Sequence, residues 1–198
     1  ATAGHQVEGN NVHSQWWQWE QGWAPEKRSG TACNHWELYK EDVELLAELG
    51  HRAYRMSVEW SRIEPEQGRF DQAAMDRYVD LLERLNQRHI KPYVTLHHFS
   101  HPQWFELLGG FKKRENVDHF VRFAEFVVPR IASLVAGWTV INEFNLNRAS
   151  DAGTTKRNFI HAHARGYHLI KAHSSAPVSS AHAYVNWFPR RRYDWFDQ

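Results

Sequence analysis

The chain has 198 residues, 42% hydrophobic and 24% charged, with a formal net charge of +1. That length and balance suit one soluble globular domain with a real core, and the near-neutral charge gives no reason to expect nucleic acid or an anionic membrane as partner. No run approaches the roughly 18 apolar residues that a membrane span needs, and the single cysteine, Cys33, excludes an internal disulfide; a cytoplasmic location is the expectation.

Strand-like and helix-like segments alternate along the chain. The opening "ATAGHQVEG" is read as a first strand, with Gln6 and Glu8 at its end. "NHWELYKEDVELLAELG" then spaces Trp36, Tyr39, Val43, Leu46 and Leu49 helically, with Asn34 and Glu37 as a capping box and Gly50 as the C-terminal stop. "YRMSVEW" is a short β-favouring segment ending near Glu59. Asp71 can cap the next helix, in which Met75, Tyr78, Leu82 and Leu85 share a face. "IKPYVTLHHF" is the following strand, and a helix is expected from about Val117 to Leu134, kinked or interrupted by Pro129. "WTVIN" is a strand, "RASDAGTTKRN" a polar loop, "FIHAHARGYHLIKAH" a helix and "APVSSAHAYVNWF" a last strand.

Repeated units of strand and helix imply an α/β fold with a parallel sheet. No glycine-rich phosphate loop follows the first strand, which disfavours a nucleotide-binding open sheet. Polar residues gather instead at strand C-terminal ends: Gln6 and Glu8, Glu59, His97 and His98, Asn142 and Glu143. A (β/α)8 barrel keeps its active site there. Five strands can be counted where a barrel needs eight. The sequence opens without an initiator Met and stops without a helix to finish the last unit. The expectation is a single domain, residues 1–198, forming the N-terminal part of an incomplete TIM barrel of about five βα units.

Several of the 10 tryptophans sit among polar neighbours, as in "SQWWQWEQGW" and "HPQWF". Such residues can stack on flat polar ligands, carbohydrates included, although core and loop packing is the commoner use of any one Trp. The 14 histidines raise the question of a metal. His161 and His168 are seven apart without an i, i+4 pair, and His97 and His98 alternate sides of a strand, so no metal site is expected. "PRRRYDW" is read as a solvated basic loop.

The stretch "GWTVINEFN" sets Glu143 at the end of an apolar run. An ionisable group beside that surface costs free energy unless it is paired, hydrogen-bonded or protonated. Taken alone, Glu143 would be an ion-paired or hydrogen-bonded glutamate at a strand end. Four ordered motifs change that reading. "ATAGHQVEG", "YRMSVEWSRIEPEQGRFD", "VTLHHFSHPQWF" and "WTVINEFN" resemble, in order and spacing, glycoside hydrolase family 1, the β-glucosidase and β-galactosidase family. The resemblance covers nearly the whole chain and implies the first five βα units of that family's barrel. It implies that Glu143 is the general acid/base and that Asn142 binds the sugar 2-hydroxyl. Gln6 and His98 would read other glycone hydroxyls, and Arg55 would lie close to the nucleophile. It also implies cleavage of β-glycosides or oligosaccharides with retention and without a cofactor.

Retaining hydrolysis needs two carboxyl groups about 5 Å apart, one attacking carbon and one serving as acid and then base. The family's nucleophile belongs to a "TENG"-like motif on the seventh strand, and these 198 residues hold no such motif. Of the local carboxylates, Glu8 is expected to brace the lower part of the pocket and Glu59 to pair with an arginine. Phe144 and Phe99 stand where the family usually has proline and tryptophan, and the loop after "INEFN" looks short. The function inferred is therefore the acid/base part of a retaining β-glycosidase whose nucleophile lies elsewhere. The alternatives are a non-catalytic sugar-binding module or an inactive fragment with an assembly role. Open sheet edges would favour self-association or pairing with a complementing C-terminal fragment.

Overall fold

The computed structural model describes residues 2–146 and 152–184. Four strands, β1 (Ala53–Ser57), β2 (Lys91–His97), β3 (Gly137–Asn142) and β4 (Val178–Ala181), form one sheet in sequence order. Every neighbouring pair is parallel. The register sets Arg55 beside Tyr93 and Tyr93 beside Gly137, while the pairing of β3 with β4 shifts between Thr139 and Asn142. Among the described residues, four long helices accompany the strands: α1 (His35–Glu48) precedes β1, and α2 (Gln72–Gln87), α3 (Val117–Ile131) and α4 (Ala152–His173) each connect one strand to the next. Strands in this order, joined through helices, are a segment of a βα barrel wall.

Local chemistry explains most of the boundaries. The Asp71 carboxylate accepts from the Ala74 N–H at 3.0 Å and caps α2. Gly50, with φ +74°, ends α1: its N–H donates to the Ala47 carbonyl and the His51 N–H to the Leu46 carbonyl. That paired pattern closes a helix through a left-handed residue, which glycine adopts without a side-chain penalty. β3 is buried along its whole length. A strand covered on both faces reads as a near-continuous apolar run, as "WTVI" does.

The core lies between the sheet and the helices. Met56, Val94, Leu96, Trp138 and Val140 are buried in one cluster with Val43, Leu82, Phe120 and Phe123. Trp60, 1% exposed, sits at the centre of an aromatic group; its ring stacks on Phe123 at 5.1 Å, with Phe105 at 4.6 Å. Its indole N–H donates to Glu64 at 2.8 Å, so the polar edge of the ring is satisfied inside the core. Val140 faces α4 so closely that a Cβ at Gly166 would lie 2.6 Å from its Cγ1.

Four expectations are corrected. The opening segment is not a strand: Gly4–Val7 forms a single helical turn, and its neighbour Thr2 makes one backbone bond to β1, from its N–H to the Arg55 carbonyl at 2.9 Å. Gly4 lies so close to the Glu59 side chain that a Cβ there would sit 2.4 Å from its Cγ. Asn34 adopts φ +54° and makes no side-chain cap, so the expected capping box does not form. α3 runs through Pro129 to Ile131, where the missing N–H falls in the last turn. α4 begins at Ala152, within the expected polar loop. The basic cluster "PRRRYDW" lies outside the described residues.

Candidate active site

Arg55, in the middle of β1, reaches Asn142 at the end of β3. Arg55, on β1, donates from Nη2 to Asn142 Oδ1 at 2.6 Å and from Nε to Thr95 Oγ1 at 3.2 Å. The guanidinium therefore crosses the concave face of the sheet from β1 over β2 to β3. Arginine only donates hydrogen bonds, so the amide oxygen of buried Asn142 faces it and the amide NH2 is left as the outward donor. Burial pulls the Arg55 guanidinium below the ordinary arginine value, and the neighbouring Glu143 carboxylate acts against that fall.

Glu143 follows directly. Its backbone has φ +46°, in the left-handed region, and its N–H donates to the Ala181 carbonyl at 2.8 Å. The end of β4 thus fixes the turn that carries this side chain. Phe99, after β2, has φ +67°. Its carbonyl accepts from Gln15 Nε2 at 2.9 Å and from Trp16 Nε1 at 3.3 Å.

Gln6 and His98 line one cavity of about 320 Å³ together with Trp16, Trp23, Phe99 and Ser100. Gln6 is exposed, and His98 is half-buried with Nδ1 unpartnered. Burial and then the Arg55 charge push the His98 imidazolium down to about 4, so the ring is neutral at pH 7. His97 is buried, its ring stacked on His101 at 5.6 Å, and burial holds it well below the usual histidine range. Of these two neighbours, His98 lines the cavity and His97 does not. Asn142, Glu143 and Arg55 do not line that cavity; they form a second group at the neighbouring strand ends.

Glu59 is held differently from expectation: among the described residues it pairs with no arginine. It accepts from Asn11 at 2.9 Å and from Ser100 at 2.7 and 2.9 Å. Glu8 takes the arginine instead, accepting from Arg62 Nε at 2.6 Å and from the Tyr78 hydroxyl at 2.8 Å. Both are buried and engaged within the fold. Sequence reading missed His5 and Glu20, whose 2.9 Å bond holds the cavity wall. Their spacing carries no recognisable pattern, whereas Trp16 and Trp23 were signalled by their polar neighbours. Among the described residues no group of three or more His, Cys, Asp or Glu is placed to hold a metal ion, and no helix is long and apolar enough to cross a membrane.

Parallel strands joined through helices, with polar residues at their C-terminal ends, define a partial βα barrel, a fold that places its sites at strand C-termini. The chain belongs to glycosyl hydrolase family 1, whose family model matches residues 1–186. It is 34% identical over 152 residues to beta-glucosidase A of Thermotoga maritima, covering 72% of this chain and 34% of that enzyme. It is 39% identical over 117 residues to beta-glucosidase 11 of Arabidopsis thaliana, covering 58% of this chain and 22% of that one. Among solved structures, the beta-glycosidase from Pyrococcus horikoshii superposes with a TM-score of 0.89 at 35% identity. That match covers 98% of this chain and 48% of the other. The chain thus spans about a third or less of these curated relatives and about half of that solved chain.

Proposed function

We propose that this chain carries the acid/base part of a retaining β-glycosidase and that the nucleophile is supplied by a segment or chain outside it. The observation that carries the reading is the Arg55–Asn142 hydrogen bond at 2.6 Å, immediately beside Glu143. In this reading Glu143 protonates the leaving oxygen of a β-glycoside and later takes a proton from water. Asn142, its oxygen tied to Arg55, offers its NH2 to a sugar hydroxyl and strengthens that bond as positive charge develops at the anomeric carbon. Gln6 and neutral His98 hydrogen-bond further glycone hydroxyls. Arg55 orients the incoming carboxylate nucleophile by its charge. The complementing segment pairs with β1 and β4, the outer strands of the described sheet, by strand addition.

The test is hydrolysis of an aryl β-glucoside by the chain mixed with the C-terminal half of a family enzyme, beside the same mixture made with Glu143→Gln. The expected result is turnover in the first mixture and a loss of about 10²–10⁴-fold in the second. Equal turnover in both would remove Glu143 from the chemistry. The second reading, a sugar-binding module without turnover, rests on the cavity that Gln6 and His98 share. It is favoured if calorimetry detects a β-glucoside bound to the chain while no mixture hydrolyses it.

A further inference from the structure

We propose that a cavity of about 520 Å³ on the outer side of Trp16 is a second saccharide-binding site, which takes a distal ring of a β-linked oligosaccharide. It is lined by Gln15, Trp16, Gln18, Trp19, Gln103 and Glu106. Its volume lies in the range of about 300–1,000 Å³ usual for small-molecule sites. The β-linkage and the neighbouring glycone site rest on the glycosidase reading; the stacking chemistry does not.

The first support is an aromatic platform that is exposed yet held rigid. Trp19 is 58% exposed, a large apolar ring left in water. It meets Trp16 edge-on at 5.1 Å and Trp23 at 4.7 Å, so its plane is set by both neighbours. Trp16 is tethered in turn through Nε1 to the Phe99 carbonyl at 3.3 Å. A ring fixed before binding loses little conformational entropy when a flat ligand stacks on it. The C–H-rich face of a pyranose suits the electron-rich face of an indole.

The second support is the polar rim. Glu106 Oε2 accepts from His101 Nε2 at 2.9 Å, which orients the carboxylate and leaves Oε1 as an available acceptor among the described residues. Gln18 donates its amide to the Val12 carbonyl at 3.2 Å, so its oxygen is also an available acceptor. Gln103 makes no side-chain hydrogen bond among the described residues and supplies both a donor and an acceptor. Acceptors and an amide around one aromatic face match the vicinal hydroxyls of a sugar ring rather than an anion or an apolar ligand.

The third support is continuity. Trp16 lines this cavity and also the cavity of about 320 Å³ that holds Gln6 and His98. One oligosaccharide crossing the Trp16 wall would touch both, and affinity would then grow with chain length.

The test is titration of the full chain with methyl β-glucoside, cellobiose and cellotetraose, followed by calorimetry and tryptophan fluorescence. Wild type is expected to bind cellotetraose at least tenfold more tightly than the monosaccharide glycoside. Trp19→Ala is expected to weaken cellotetraose binding about tenfold and to change methyl β-glucoside binding less than twofold. Trp19→Phe should recover most of the loss, which separates stacking from misfolding. Gln103→Ala should weaken cellotetraose about threefold. Equal cellotetraose affinity in wild type and Trp19→Ala, or no binding of cellotetraose, overturns the proposal. His98→Ala without effect on methyl β-glucoside, beside a full Trp19 effect, would overturn the glycone-site reading and leave this one standing.

Discussion

Glu8 offers a way to read one buried charge in isolation. Its carboxyl is 3% exposed, and burial raises its pKa from 4.5 to about 7, against the opposing pull of Arg62 and the Tyr78 hydroxyl. A carboxyl whose folded value is raised binds more protons folded than unfolded between pH 4.5 and 7. Its stabilising contribution is therefore complete below pH 4.5 and is lost as pH rises through 7. At about 1.4 kcal/mol per unit the full loss is about 3 kcal/mol, of which about 2.5 kcal/mol falls between pH 5 and pH 8. His97 and His98 act the other way: both are depressed, so their neutral burial stabilises the fold more as pH rises toward the ordinary histidine range. The whole-protein profile mixes these terms, but the difference between wild type and Glu8→Gln does not. Urea unfolding of both proteins at pH 5, 6, 7 and 8 should show the variant gaining about 2.5 kcal/mol relative to wild type across the series. A difference constant to within about 0.5 kcal/mol would mean that Glu8 stays ionised against Arg62 throughout, and the burial argument would fail.

Two further substitutions probe how the elements are joined. Gly166→Ala adds a Cβ 2.6 Å from Val140 Cγ1, so overpacking of about 1–3 kcal/mol should exceed the helix-propensity gain of about 1 kcal/mol. Thermal melts should place its midpoint below wild type, and a cycle with Val140→Ala should show coupling rather than additivity. Asp71→Ala removes the cap on the Ala74 N–H and should cost about 1 kcal/mol in urea unfolding, whereas an unchanged midpoint would deny the cap any energetic role.

The legible parts of the sequence were those written in local pattern. The faces of α2 and α3, the Asp71 cap, the Gly50 stop and the buried run of β3 all depend on residues a few positions apart. The resemblance supplied Glu143, Asn142, Gln6, His98 and Arg55, and the structure sets the Arg55–Asn142 pair in contact. What was illegible depended on distance. Glu59 and Glu8 lie 51 positions apart, and which of them takes Arg62 is decided by packing; Ser100 and Asn11 reach Glu59 instead. The opening segment was read as a strand, yet Gly4–Val7 is a helical turn packed closely against Glu59, a residue 55 positions from Gly4. The first turns of α4 are polar because they are partly solvent-facing, and polarity alone had suggested a loop.

Glu143 and Phe99 both leave their strands with a left-handed backbone, a conformation that costs a side-chain-bearing residue about 1–3 kcal/mol. Glycine would adopt either position freely. Drift toward glycine would therefore strengthen the fold while deleting a carboxylate at one strand end and a cavity wall at the other. Backbone stability and the presence of a side chain therefore pull these two positions in opposite directions.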